Sequence, residues 1–245
     1  MYRFAVIPAR WASTRFPGKP LAKLEGKPMV EHVYRRCEEA RCFDSIAVAT
    51  DDDRIVEAVR AFGGVAVRTS PACVSGTDRA AEVVSTLSRV DVVVNVQGDE
   101  PALPPHALRT VALAFDDAAV ELCTLVRPLA AAERQNPNVV KVVLDEGGHA
   151  LYFSRADVPF ARADTQVPRW AHVGLYGYRR DVLLKLAALP PTLLEQTESL
   201  EQLRALGAGI RIACRRTDHR VRGVDVPEDV ADAEEALRQL SAAAR

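Results

Sequence analysis

The chain has 245 residues, 48% hydrophobic and 27% charged, with a net charge of −1. That length buries a full core and fits one domain, and the balanced charge gives no global field for DNA, RNA or an anionic membrane. The five cysteines, Cys37, Cys42, Cys73, Cys123 and Cys214, are scattered and form no CxxC, which disfavours a disulfide framework or a zinc site and points to reduced thiols in a cytoplasm. "MYRFAVIPAR" has no long apolar h-region, and no run approaches 18 apolar residues, so neither a secretory signal nor a membrane span is expected.

The first strand is read at 4–7, "FAVI", followed by the loop "PARWASTRFPGKPL" over 8–21. Helical periodicity covers 28–40, a strand 45–50, a helix 52–62, a strand 65–68, a helix 77–88 and a strand 91–96. Near-continuous apolar strands alternating with amphipathic helices predict an open, mostly parallel α/β sheet with helices on both faces. Past residue 120 the strand-like runs crowd together, and "DEGG" at 145–148 reads as a hairpin turn, so the second half is expected to add antiparallel strands. Helices follow near 179–189 and 195–207, then the strand "GIRIAC" and a C-terminal helix opening at Pro227. No linker interrupts the pattern, and a single domain is expected.

Ligands of open α/β sheets bind outside the carboxyl ends of the strands. Three segments fall there: the basic loop with Arg10, Arg15 and Lys19, "SGTDR" at 75–79, and "QGDEP" at 97–101. Each alone has an ordinary explanation, as solvated surface, a helix N-cap or a turn former. Together at one sheet edge they fit a nucleoside triphosphate. Gly18 lets the backbone bend toward a ligand, and Arg15 and Lys19 reach phosphates. Amides around Ser75 favour an anion or a base edge. Asp99 is suited to hold Mg²⁺, with Asp225 in "GVDVPED" as a second acid. The P-loop pattern GxxxxGK[ST] and a GxGxxG after the first strand are both missing, which disfavours a P-loop kinase and a Rossmann dehydrogenase.

"IPARWASTRFPGKPL", "SGTDRAAE", "VVNVQGDEP", "NPNVVKVV", "YFSR", "HVGLYGYRR", "LEQLRALGAGIRI" and "GVDVPED" occur in this order. Together, over about residues 2–235, they resemble the 3-deoxy-manno-octulosonate (KDO) cytidylyltransferase family, the CMP-KDO synthetases. The resemblance implies CTP + KDO → CMP-KDO + pyrophosphate with Mg²⁺, a homodimer, and a place in lipopolysaccharide synthesis. It implies CTP contacts at Pro8, Ala9, Arg10, Ser13, Arg15, Lys19, Ser75, Gly76, Thr77, Arg79, Gln97 and Gly98. It further implies metal binding at Asp99 and Asp225, catalysis through these two acids with Arg15 and Lys19, and a sugar-acid pocket of Arg155, His172, Tyr176, Glu201 and Gln202. The chain would then divide into a CTP-binding half (1–120), a sugar-acid and dimerisation part (121–205) and a part carrying the second acid and last helix (206–245). The aromatics Tyr152, Phe153, Phe160 and Trp170 are expected to be exposed and covered by a partner copy.

Arg155 and His172 suit the KDO carboxylate, and Glu201 and Gln202 its hydroxyls; taken alone, Glu201 also reads as an exposed helix acid paired with Arg204. Two positions depart from the family pattern: Val226 stands where Thr is usual, and Ala171 where a basic residue often precedes the histidine. Three other readings share parts of the pattern. They are a cytidylyltransferase for an amino-KDO or sialic-acid type sugar, a metal-dependent glycosyltransferase, and a catalytically silent nucleotide-binding regulator.

Overall fold

The computed structural model describes residues 1–12, 15–163, 167–220 and 223–243. In chain order the elements are β1 (Arg3–Pro8), the short hairpin β2 (Lys23–Leu24) and β3 (Lys27–Pro28), α1 (Met29–Ala40), β4 (Ser45–Thr50), α2 (Asp53–Ala61), β5 (Ala66–Arg68), α3 (Gly76–Ser85), β6 (Val92–Asn95) and α4 (Pro105–Leu113). They continue as β7 (Leu122–Pro128), β8 (Lys141–Leu144), β9 (Ala150–Ser154), β10 (Trp170–Arg179), α5 (Arg180–Ala188), α6 (Leu193–Glu198), α7 (Gln202–Gly207), β11 (Ile212–Arg216) and α8 (Val230–Ala243).

One sheet carries the order β11-β7-β10-β6-β1-β4-β5, with β8 and β9 attached beside β10. β1 pairs in parallel with β4 and with β6, in the register Val6↔Ala47 and Val6↔Asn95. β10 runs antiparallel to both β6 and β7, and β11 runs parallel to β7. A mostly parallel sheet with antiparallel strands from the second half is the architecture the sequence pattern predicts.

Both faces are covered, because the runs Phe4–Ile7 of β1 and Val92–Val94 of β6 send apolar side chains to both sides of the sheet. Ile7 packs with Val30, Val33, Ile55 and Leu108 from α1, α2 and α4 and with Phe115 from the turn after α4. Val6, on the other face, packs with Ala80, Val84, Leu183 and Leu203 from α3, α5 and α7. A third cluster seats α8 through Ala233 and Leu237 on Leu24, Met29, Ala102 and Val224. The outcome brings the carboxyl ends of β1, β4 and β6 to one edge, with the loops that follow them side by side.

Three local readings change. The helix read over 195–207 is two, since Ser199 takes a left-handed φ of 51° and ends α6. Its apolar spacing is continuous because Leu200 and Leu203 pack into the same core as the helices around them. α4 was not read from the pattern. It begins at Pro105, whose missing N–H costs nothing in a first turn. Pro227–Asp229 forms a 3₁₀ turn, and α8 proper starts at Val230. Of the four aromatics expected to be exposed, Phe160 is 88% exposed, whereas Phe153 is fully buried. Tyr152 and Trp170 pack partly against the core.

Lys141 is completely buried in β8. Its Nζ donates to the carbonyls of Asn136, Val139 and Arg155 at 2.9, 2.8 and 2.6 Å, which uses all three ammonium protons. The ammonium therefore pins the 136–139 turn to the end of β9. Lys141→Met keeps the length and removes the donors, leaving three carbonyls unpaired. It is expected to lower unfolding free energy by about 3 kcal/mol or more, read as a lower urea midpoint with an unchanged m-value.

Candidate active site

β1 ends at Pro8, and the chain turns outward through Ala9 and Arg10. The loop closes on itself where the Gly18 N–H donates to the Trp11 carbonyl at 3.1 Å. Gly18 itself sits at φ 72°, a conformation that favours glycine. That turn starts the short 3₁₀ segment Lys19–Leu21 and aims Lys19 inward; its side chain is only 14% exposed. Beside it, β6 leads into Gln97, Gly98 and Asp99. A Cβ on Gly98 would lie 2.5 Å from the Pro8 carbonyl oxygen, so only glycine lets these two strand ends meet. α3 opens on the same edge with a reciprocal cap. The Asp78 N–H donates to Ser75 Oγ at 3.1 Å and the Ser75 N–H to Asp78 Oδ2 at 3.0 Å.

These segments enclose a cavity of about 270 Å³. It is lined by Pro8, Ala9, Arg10, Arg15, Lys19, Ser75, Gly76, Arg79, Gln97, Gly98, Asp99 and Asp225, all of them site residues read from the sequence. It also includes Pro20, Cys73 and Val74, which that reading missed although Cys73 and Val74 directly precede "SGTDR". Ser13 lies outside the described residues. Thr77 faces the other way: it is buried, and its hydroxyl is bonded to Glu201 and Tyr178. Arg79 touches the cavity, but its guanidinium is 3% exposed and is held by Thr69 Oγ1 and by Asp51 at 3.4 Å.

The electrostatic centre is an ion cluster. Lys19 Nζ lies 2.8 Å from Asp99 Oδ2 and 3.6 Å from Asp225 Oδ1, and an Arg15 Nη lies 3.0 Å from the same Asp225 oxygen. The Val224 N–H donates to the Asp99 carbonyl at 2.9 Å, tying the two acidic segments together directly. Asp229 fixes the second of them by accepting from the N–H groups of Asp225 and Val226 at 2.7 and 3.0 Å. Those two bonds hold its carboxyl below the usual range. Asp229 thus does the capping for which Val226 has no side-chain acceptor. Its signal was in the sequence, as an acid three residues after the N-cap position. Among the described residues no cluster of three or more His, Cys, Asp or Glu is disposed to hold a metal. Asp99 and Asp225 are two hard oxygen donors converging on one cation, which fits Mg²⁺ completed by a ligand's phosphate oxygens.

A sequence model of the family described as "Cytidylyltransferase" matches residues 4–212. A 3-deoxy-manno-octulosonate cytidylyltransferase of Myxococcus xanthus is 58% identical over 235 residues, covering 96% of each chain. A protein of the same name from Geobacter sulfurreducens is 48% identical, covering 96% of this chain and 98% of its own. The chain belongs to the 3-deoxy-manno-octulosonate cytidylyltransferase family. A solved CMP:2-keto-3-deoxy-manno-octonic acid synthetase complexed with CTP superposes with a TM-score of 0.93 at 42% identity, covering 98% of this chain and 99% of its own. The 4-diphosphocytidyl-2C-methyl-D-erythritol synthase of Anaerococcus prevotii, at 10% identity and a TM-score of 0.66, shares the fold alone.

The residues that the family resemblance assigns to a sugar acid are not part of this cavity's lining. Glu201 approaches it most directly, accepting from Ser75 Oγ at 3.3 Å. It does not pair as an exposed helix acid. Arg204 instead grips Glu195 with two nitrogens, and burial raises the Glu201 carboxyl above its ordinary value. Gln202 is buried with its amide nitrogen unpartnered. Tyr176 stacks between His172 and Tyr178. Arg155 directs its guanidinium to the carbonyls of Glu198, Pro137 and Ser199 at 2.7, 2.9 and 3.3 Å, so it braces two turns.

His172 needs a correction as a cation for a carboxylate. It is enclosed by Phe153 and Tyr176, and burial pushes its pKa down to about 3. The Thr124 hydroxyl lies 2.9 Å from both His172 Nε2 and the Leu175 carbonyl. A carbonyl only accepts, so the single hydroxyl proton goes there and His172 Nε2–H donates to the hydroxyl. A neutral imidazole with its proton on Nε2 follows. The linkage sign is set by the lowered value: below the ordinary histidine pKa of about 6.5 the unfolded chain takes up a proton that the folded chain refuses. Folding stability is therefore expected to fall by about 1.4 kcal/mol per pH unit as pH drops from about 6 toward 4. NMR of ¹⁵N-labelled His172 should show the Nε2–H tautomer with no titration between about pH 5 and 8.

Proposed function

We propose that this protein transfers CMP from CTP to the anomeric C2 hydroxyl of KDO, releasing pyrophosphate and forming CMP-KDO for lipopolysaccharide synthesis. The observation that carries the reading is the 0.93 TM-score at 42% identity to a synthetase of this name complexed with CTP. It is supported by a cavity whose lining combines Arg10, Arg15 and Lys19 with Asp99 and Asp225. CTP lies with its triphosphate against Arg10, Arg15 and Lys19 and its cytidine toward Ser75, Gly76 and Gln97. The KDO hydroxyl attacks the α-phosphorus in line, an O–P bond forms, and the α–β bridging bond breaks. Negative charge grows on the departing pyrophosphate, where Arg15 and Lys19 stabilise the transition state more than the ground state. Asp99 and Asp225 would hold Mg²⁺, which when bound neutralises charge on the phosphoryl oxygens. Gly98 and the Val224–Asp99 backbone bond keep these acids in register with the phosphate loop, so much of the catalysis is positioning. Glu201 and Gln202 meet hydroxyls of the sugar acid from the side of Ser75. The division into CTP-binding, sugar-acid and second-acid parts belongs to this reading, as does a cytoplasmic location.

Pyrophosphate release should require both CTP and KDO, with ATP and GTP inert and UTP at best a poor substitute. Equal turnover with ATP would remove the nucleotide assignment, and a preference for sialic acid in a panel of sugar acids would move the substrate. In the same assay Asp99→Asn should lower kcat by about 10²–10³-fold with the circular dichroism spectrum retained. Near-normal turnover at moderate Mg²⁺ would refute the metal assignment.

The reading also includes a symmetric homodimer. Leu151 in β9, and Phe160 and Val167 between β9 and β10, are 60%, 88% and 52% exposed. Exposed apolar side chains of this size favour a covering copy. Light scattering at micromolar concentration should give twice the mass of the 26.7 kDa chain; a monomer mass would contradict it.

A further inference from the structure

Lys19 and Arg15 hold positions that the proposed reaction requires them to leave. The Lys19 ammonium lies between the two acids, 2.8 Å from Asp99 and 3.6 Å from Asp225, and Arg15 holds the second acid at 3.0 Å. One carboxylate pair thus already has a cation at its centre. A divalent ion bound by both acids needs oxygen contacts near 2.1 Å in a close octahedron. It cannot share that space with an ammonium hydrogen-bonded to Asp99 and 3.6 Å from Asp225. We infer that Lys19, assisted by Arg15, is a placeholder for the metal: in the free protein it closes the site to divalent cations, and the site opens when a triphosphate draws the two cations onto its own oxygens. Nucleotide and metal then bind with positive coupling, because each takes over the other's displaced partner.

Three observations carry this further than charge balance alone. Lys19 is largely buried, with its side chain 14% exposed, so its contact with Asp99 is not a loosely solvated surface pair. The acids have no third protein ligand among the described residues, so a metal held without nucleotide would depend on water for most of its shell. The backbone carrying the two acids is fixed independently of either cation, since the Asp99 carbonyl accepts from the Val224 N–H and Asp229 accepts from the Asp225 N–H. The Arg15 side chain is 64% exposed. The acid-bearing backbone can therefore stay in place while the cations change partner.

The inference rests on the metal assignment made under the proposed function, and its test contains neither CTP nor KDO. Binding of Mn²⁺, used as an EPR-visible probe, is measured on the nucleotide-free protein. The wild type should bind weakly, and Lys19→Met should bind about tenfold more tightly or better. Adding Asp99→Asn to Lys19→Met should abolish that gain. Arg15→Met, at an exposed position, should give a smaller gain of about threefold and keeps the test available if Lys19→Met does not fold. Arg10→Met is the control for general field effects, since Arg10 lines the same cavity and makes no ion pair among the described residues. It should change affinity by less than about twofold. No gain in either Lys19→Met or Arg15→Met overturns the placeholder role, as does an equal gain in Arg10→Met. A gain that survives Asp99→Asn overturns it as well. Turnover of CTP and KDO by Asp99→Asn alone tests the underlying metal assignment separately, so the two failures are told apart.

Discussion

The site is organised around the meeting of Lys19 with Asp99 and Asp225. It joins three segments that are remote in sequence: the loop after β1, the turn after β6, and the stretch before α8. Parallel pairing of β1 with β6 puts the first two side by side, since Val6 sits opposite Asn95 and both strands end within a few residues of it. The Gly98 backbone then lies against the Pro8 carbonyl more closely than any side chain would permit. The third segment is brought in from the far end of the chain by α8, which packs on Leu24 and Met29 just beyond the loop that carries Lys19. Asp225 therefore depends on a hydrophobic contact made by a helix that begins five residues later.

This cluster is poorly suited to stabilising the fold. Asp225 is about half exposed and Arg15 more so, and ion pairs of that exposure contribute about 0–1 kcal/mol. The fold is held by the two apolar layers on the sheet, where Ile7 and Val6 send successive side chains to opposite faces. Arg204 with Glu195 illustrates the alternative use of charge. Both side chains are nearly buried, and the guanidinium meets the carboxylate with two nitrogens. That pair binds α6 to α7 and is built to stay. The Lys19 cluster is open on one side and is built to exchange.

How much of this was readable in advance follows from which forces set each part. The parallel core was legible because "FAVI" and the "VVV" of β6 are apolar throughout, and the helices between them show a period near 3.6. The cavity edge was legible because Arg10, Arg15, Lys19 and Asp99 lie in loops directly after those strands and Ser75 caps the next helix, so local sequence nearly determines where they end up; Asp225 reaches it only through the packing of α8. The second half was less so. Ser199 breaks a helix whose apolar spacing is unbroken, and a left-handed serine carries no sequence signal. The pairing of β9 with β8 shifts register between Tyr152 and Ala150, so Leu151 is 60% exposed although it stands two residues from the buried Phe153, and no sequence signal marks that shift. Arg155 and His172 read as cations by residue type. Their protonation and partners are tertiary facts: His172 is neutral because of Phe153, Tyr176 and Thr124, and Arg155 is committed to carbonyls from two distant turns.

The neutral character of that half bears on the charged half. His172 is held neutral, burial raises the phenols of Tyr176 and Tyr178 far above the range in which they ionise, and Glu201 shifts toward its protonated form. These groups stand in line from β10 to the start of α3, where Thr77 joins Tyr178 to Glu201 and Ser75 joins Glu201 to the cavity. Apart from Glu201, such a wall hydrogen-bonds without presenting a charge. It leaves the field at the strand ends to Arg10, Arg15, Lys19, Asp99 and Asp225, and it lowers the effective dielectric on one side of them. Interactions among those five groups and an anionic ligand are thereby strengthened at the place where charge must move. The same wall explains how a site for two anions can avoid excess positive charge. Arg155 and His172 do not add free cations beside the phosphate loop, so the balance between two acids and three bases at its centre remains close enough for partners to be exchanged.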